Sequence, residues 1–238
     1  MITTILFDIG STILYEEDIY SALLEKEKEI LNQYGYAISE RDYIRIIEEC
    51  VLSGESNLIR SVAWRYTKPD KEMCERIIRQ TRSYTDELIK IYPRKLMQGI
   101  DKVLAILSEK YTLSLAGNAS TAIKNDLKNL NVLHFFSCTD VSDDIKISKP
   151  SVDFFKHYLT KLNVNSDEVI FIGDRLDNDI IPAKSLGIKT IWYKNGFYKI
   201  MQPLSQNEMP DAVVENSFEI VNAVKAIVQG SNYMEDIQ

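Results

Sequence analysis

What most constrains this chain is an alternation that sets in beyond residue 95, where helix-like stretches lead one after another into short apolar runs. A helix over about 98–109 leads to "YTLSLA" (111–116), and one over about 120–129 leads to "FFSC" (135–138). "SVDFFKHYLTKL" leads to "EVIFIG" (168–173), and "NDIIPAKSLG" leads to "KTIWY" (189–193). A weak strand near "DAVV" and a helix over 217–228 close the series. Apolar, β-branched runs of this kind suit strands buried on both faces. Their alternation with helices predicts a parallel sheet covered on both sides. The N-terminal "TTILF" (3–7) is another such run and predicts a central strand. The expected fold class is α/β, with a Rossmann-like parallel-sheet core, helices on both faces and an inserted all-α domain.

The insertion follows the first strand. Ile19, Leu23, Ile30 and Tyr34 fall on one helical stripe, Leu24 and Leu31 widen it, and Gly35 supplies a stop. Ser39 is placed to cap a second helix carrying Tyr43, Ile47, Cys50 and Val51. A third helix is predicted from Asp70 to about Ile91, with Met73, Ile77, Tyr84, Leu88 and Ile91 on one side. Residues 53–66 read as a loop, in which Arg60, Trp64 and Arg65 either recognise an anionic or flat group or pack with solvated guanidinium heads. The expected domains are a core of 1–15 and 93–230, a helical cap of 16–92 returning at Pro93, and a flexible tail over 231–238.

Composition narrows the function classes. With 45% hydrophobic and 26% charged residues the chain is ordinary globular protein. A net charge of −7 and the lack of a Lys/Arg cluster argue against nucleic acid as the main partner. No apolar stretch approaches the roughly 18 residues of a membrane span. The opening residues predict no secretory leader, because they lack a basic region and Asp8 interrupts their apolar run. Cys50, Cys74 and Cys138 are scattered and odd in number, which predicts reduced thiols in a cytoplasmic protein. His134 and His157 read as packing or surface residues. With no Cys–His cluster and no GxSxG turn, zinc and serine-hydrolase chemistry are unsupported.

Parallel sheets bind ligands at the carboxyl ends of their strands, near the point where strand order reverses. Asp8, Gly117–Asn118 and Gly173–Asp174 each follow a predicted strand. Taken singly, each acid reads as a cap or turn residue, and Lys149 as an exposed lysine before a helix-starting proline. Together they read differently. Carboxylates gathered on one rim repel one another unless a cation lies between them, and hard oxygen ligands beside a phosphate-bearing substrate suit Mg²⁺. A neighbouring lysine can neutralise phosphate oxygens and keep a nucleophilic carboxylate ionised.

These segments resemble the haloacid dehalogenase-like hydrolase superfamily. "LFDIGST" is similar to its first motif, hhhDxDGT, and "LSLAGNAS" stands where its second is expected. "ISKPSVDFF" resembles its lysine region, "FIGDRLDNDIIPAKSLGIKTIW" resembles its GDxxxxDxxxAxxxG pattern, and a helical insertion after the first motif resembles its C1 cap subclass. The resemblance implies that Asp8 attacks phosphorus to form an aspartyl-phosphate, with Lys149 neutralising charge. Mg²⁺ is then expected on Asp8, the Gly10 carbonyl and Asp174, with Asp179 a further ligand or support. Gly117, Asn118, Ser11 and Lys149 are expected around the phosphate. Three positions depart from the family pattern. Gly10 stands where its phosphatases carry an acid that protonates the leaving group and later activates water, Gly117 where a phosphate-binding hydroxyl is usual, and Ser11 where glycine is usual. The expected function is a Mg²⁺-dependent hydrolase of a small phosphorylated metabolite, monomeric or homodimeric, slowed by Gly10. One alternative is a protein of this fold with little or no catalysis that binds a phosphorylated ligand or a protein partner. A dehalogenase or phosphonate-type hydrolase is a further alternative, and the intact fourth motif argues against the dehalogenase branch, which does not use Mg²⁺.

Overall fold

The computed structural model describes residues 1–55 and 57–230, and the tail expected over 231–238 lies outside the described residues. Strand β1 (Thr4–Phe7) is buried at every position. After it come β2 (Leu14–Tyr15) and five helices, α1 (Glu17–Gln33), α2 (Glu40–Leu52), α3 (Leu58–Thr67), α4 (Lys71–Ser83) and α5 (Thr85–Ile91). The alternation then runs β3 (Lys95–Leu96), α6 (Ile100–Ser108), β4 (Thr112–Leu115), α7 (Ile123–Asn129), β5 (Phe136–Cys138), α8 (Ser142–Ile145) and α9 (Val152–Leu162). It ends with β6 (Val169–Gly173), α10 (Ile181–Ser185), β7 (Lys189–Tyr193), β8 (Ala212–Val214) and α11 (Ser217–Gln229).

Six strands form one sheet in the order β5-β4-β1-β6-β7-β8, every neighbouring pair parallel. The chain moves outward from β1 through β4 to β5, crosses back to lay β6 on the other side of β1, and continues to β7 and β8. Strand order therefore reverses between β1 and β6, where an open α/β sheet leaves its crevice. Successive side chains point to opposite faces. Ile5, Phe7, Ile170 and Ile172 pack with Leu104 of α6 and Val224 of α11. Leu6, Val169 and Phe171 pack with Phe154, Phe155 and Tyr158 of α9. Both faces are thus filled with apolar side chains, which is why these strands read as unbroken apolar runs.

The chain divides into two compact units, Glu16–Arg94 and the remainder. It leaves the sheet-bearing unit just after β2 and re-enters it at β3, and these two short strands pair antiparallel, Leu14 with Leu96 and Tyr15 with Lys95. Among the described residues, no helix is long and apolar enough to cross a membrane.

Within the helical unit two expectations need correction. The segment read as a loop contains α3. Asn57 caps it by accepting the Arg60 N–H at 3.1 Å, and Leu58, Ile59, Val62 and Ala63 are buried at helical spacing. The two arginines and the tryptophan on its other faces masked that stripe. The helix expected over 70–91 has Asp70 as its cap, accepting the Met73 N–H at 2.9 Å, but breaks after Ser83. There the Ser83 hydroxyl donates to the Gln80 carbonyl at 2.7 Å, and Tyr84 N–H closes a tighter turn on Thr81 at 3.2 Å. The shorter α5 leaves Ile91 58% exposed.

One buried residue on α1 is ionisable. Glu27 is 0% exposed, and its Oε1 has no hydrogen-bond partner. The Tyr43 hydroxyl lies 3.0 Å from Glu27 Oε2 and 2.7 Å from the Leu24 carbonyl. A phenol has one hydrogen for these two acceptors, and a protonated Glu27 resolves the conflict by donating to the phenol oxygen. Burial raises the Glu27 carboxyl well above its ordinary 4.5, and the hydrogen bonds from Tyr43 and the Ala63 backbone only partly offset this. A folded-state pKa above the unfolded one means stability that is full below the unfolded value and is lost as pH rises towards the folded one. Urea unfolding should therefore show the wild type losing stability more steeply than Glu27→Gln as pH rises above the ordinary 4.5. Parallel pH profiles would count against a protonated Glu27.

Candidate active site

The site grows from two adjacent strand ends at the reversal. Phe7 pairs with Ile172, and Asp8 N–H extends the ladder to the Ile172 carbonyl at 2.9 Å, so Asp8 comes out beside Gly173 and Asp174. Beyond Asp174 the chain makes a π-helical turn, Leu176–Ile180, that folds Asp179 back under the strand end. Asp179 Oδ2 accepts the Arg175 N–H at 3.0 Å. Gly173 makes this possible. A Cβ there would lie 2.5 Å from Asp179 Oδ2 and 2.7 Å from its Cγ. Asp8, Asp174 and Asp179, all buried, thereby present carboxylate oxygens within 4.8 Å of one another.

Lys149 completes the group. It is 3% exposed, and its Nζ donates to Asp8 Oδ1 at 2.5 Å and to Asp179 Oδ1 at 2.6 Å. Asn118, three residues beyond β4, holds it there. The Lys149 N–H donates to Asn118 Oδ1, and Asn118 Nδ2 donates to the Lys149 carbonyl, both at 2.9 Å. The Asn118 side chain, expected at the phosphate, is committed to the lysine backbone. Gly117 has a local reason too, since a Cβ at that position would lie 2.7 Å from Ile9 Cγ1. Ile9, in the loop that follows the first strand, occupies the space a side chain at 117 would need. In the same loop Ser11 adopts a left-handed conformation (φ 52), while Gly10 lies outside that region. The Ser11 carbonyl accepts Asn195 Nδ2 at 2.7 Å, and the same nitrogen donates to the Tyr193 carbonyl at 3.1 Å.

Three carboxylates and one lysine leave the cluster short of positive charge. Burial opposes the Lys149 ammonium, but Asp179 and Asp8 outweigh it and its pKa is raised. Burial, with the charge of Asp8, pushes Asp179 up to about 6 against the pull of Lys149 and the Arg175 N–H. Asp174 is raised well above the ordinary carboxylate range by burial and by the charges of Asp179 and Asp8, which Arg175 and Lys149 only partly offset. No hydrogen bond reaches the Asp174 carboxylate or Asp8 Oδ2 from the described residues. Both Asp179 oxygens, by contrast, are engaged. Unpartnered oxygens on buried residues of a charge-deficient cluster fit a hard divalent cation, with Asp174 offering open oxygens, the Asp8 carboxylate beside it and Asp179 bracing the lysine.

Sequence reasoning missed three neighbours, Arg175, Asn195 and Tyr198. Arg175 is clamped through Nε and Nη2 to Asp177, at 3.0 and 2.6 Å, and lies 3.8 Å from the centre of the Tyr198 ring. Asn195 and Tyr198 come from the segment after β7, whose sequence carries no periodic signal. The one available cue was the pattern "GDRLD", in which Arg175 stands two residues before an acid.

A family model described as haloacid dehalogenase-like hydrolase matches residues 5–193. A glyceraldehyde 3-phosphate phosphatase of Methanocaldococcus jannaschii is 24% identical over 237 residues, covering 94% of this chain and 98% of the relative. A protein of the same name from Methanopyrus kandleri is 23% identical, covering 96% and 100%. Among solved structures, that of a predicted phosphoglycolate phosphatase from Haemophilus somnus 129PT aligns with a TM-score of 0.71 at 18% identity, covering 94% of this chain and 98% of that one. At that identity the likeness is one of fold.

Two outcomes are expected. Gly173→Ala should displace Asp179 from Lys149 and cost about 1–3 kcal/mol, as overpacking of a close contact does, measurable by chemical denaturation. Asp174→Asn should melt higher than wild type in a chelator, because it removes a charge that burial disfavours. Wild type alone should then gain stability from added Mg²⁺, about 2.7 kcal/mol at a concentration one hundred times the dissociation constant. An equal gain in both proteins would place the cation elsewhere.

Proposed function

Because the chain belongs to the haloacid dehalogenase-like hydrolase family, we propose that it hydrolyses a small phosphate monoester with Asp8 as the nucleophile. The observation that carries this is the state of the Asp8 carboxylate. It stands at the sheet's reversal, with one oxygen fixed by Lys149 at 2.5 Å and the other without a hydrogen bond. The open oxygen bonds to phosphorus, the bond from phosphorus to the leaving oxygen breaks, and an aspartyl-phosphate forms. Water then cleaves that acyl phosphate, releasing inorganic phosphate and restoring Asp8. Lys149 offsets charge on the phosphoryl oxygens, and the Asn118 clamp keeps it in place. When bound by Asp8, Asp174 and the Gly10 carbonyl, Mg²⁺ would supply further neutralisation of that charge. The names of the curated relatives make glyceraldehyde 3-phosphate the first metabolite to assay. Three buried, unpaired cysteines are in keeping with a cytoplasmic setting.

Gly10 shapes the kinetics. A general acid–base group contributes about 10² to 10⁴ in rate, or roughly 3 to 5 kcal/mol of barrier. An aryl phosphate has a leaving group that departs unprotonated, whereas an alkyl phosphate does not. The same residue favours the second reading, a protein that binds a phosphorylated ligand with little turnover. Stopped-flow measurement with 4-nitrophenyl phosphate and Mg²⁺ separates the two. A burst of nitrophenol followed by slow turnover is expected, abolished in Asp8→Asn. Gly10→Asp should raise the steady-state rate, since the backbone there lies outside the left-handed region that would strain a side chain. Activity surviving in Asp8→Asn would point to another nucleophile, and binding with neither burst nor turnover would favour the second reading.

A further inference from the structure

The helical unit contains a cavity of about 320 Å³, lined by none of the residues placed at the active site. One wall is α3, where Ser61 and Trp64 stand one turn apart. The other is α4, where Lys71 and Cys74 do the same. Two arginines in this region are natural anion readers from sequence, but each is already neutralised. Arg60 meets Glu75 through two contacts, at 2.5 and 3.2 Å, and Arg65 meets Glu55 at 2.8 Å. Lys71 differs. It opens α4, is exposed, and has no carboxylate or hydrogen-bond partner among the described residues. The half-buried Trp64 indole N–H likewise has no acceptor. The cavity therefore combines a flat aromatic wall, a buried thiol and an unpaired cation, with its own acids already paired. Its volume is that of a small-molecule site.

We propose that this cavity binds a small planar aromatic carboxylate, the ring against Trp64 and Cys74 and the carboxylate on Lys71 and the indole N–H. An aromatic ring gains offset stacking on the indole, and a carboxylate gains charge-assisted hydrogen bonds while lying near the positive end of α4. A cationic ligand would meet Lys71 with no free acid to balance it.

Titration of the full chain with 1-naphthoate and its uncharged analogue 1-naphthamide tests the proposal, by calorimetry and tryptophan emission. Naphthoate should bind more tightly than naphthamide and quench emission. Trp64→Phe should remove the quench, because the other tryptophan, Trp192, is buried in the sheet. Lys71→Met should weaken naphthoate about fivefold, the scale of a partly exposed ion pair, and leave naphthamide unchanged. Lys71 is exposed, so its variant should fold, and thermal unfolding verifies this. Naphthoate failing to bind, binding no better than naphthamide, or binding Lys71→Met as tightly as wild type would each overturn the proposal.

Discussion

The rim of this sheet depends on one buried ammonium. Taking a lysine out of water costs several kcal/mol, and only close, well-directed carboxylates offset that. Lys149 has two, Asp8 and Asp179, both within 2.6 Å. The dependence runs the other way as well, since without the lysine three carboxylates would face one another in a poorly solvated space. Much of the local irregularity follows from assembling this group. The π-helical turn brings Asp179 under the strand end, Gly173 makes room for it, and the Asn118 amide fixes the lysine backbone.

The loop after the first strand is organised around its own substitutions. Ile9 fills the space beside Gly117, so the absence of a side chain at 117 and the bulk at 9 form one packing unit. Ser11 adopts a conformation most residues avoid, and the Asn195 amide ties its carbonyl to the Tyr193 carbonyl. The conformation of this loop therefore rests on a packing contact and on backbone carbonyls held by an amide.

The sheet was legible in the sequence because strands covered on both faces must be apolar throughout. "TTILF", "EVIFIG" and "KTIWY" say so without help from neighbours. Asp8, Asp174 and Lys149 were legible because acids at strand ends and a lysine before proline recur in a recognisable order. What stayed hidden depends on partners distant along the chain. Asn118 and Lys149 are separated by 31 positions, and Asn195 and Ser11 by 184. No local pattern encodes either contact. Helix α3 was hidden for a different reason, its buried stripe being interrupted by charged residues that pair within the helical unit. The break after Ser83 turns on one hydroxyl competing for a backbone carbonyl, which periodicity cannot register.

The antiparallel ribbon of β2 and β3 fixes where the chain leaves and rejoins the sheet-bearing unit. Tyr15 and Lys95 sit directly opposite each other, so 79 intervening residues begin and end a strand spacing apart. That spacing, about 5 Å, is what a tight hairpin turn spans. Topologically, the helical unit is an excursion hung from a hairpin. It can be lengthened, exchanged for another module or shortened to a turn while the strand order, the crevice and the lysine-centred cluster keep their connections. The two units can therefore vary in sequence under separate selection within a single polypeptide.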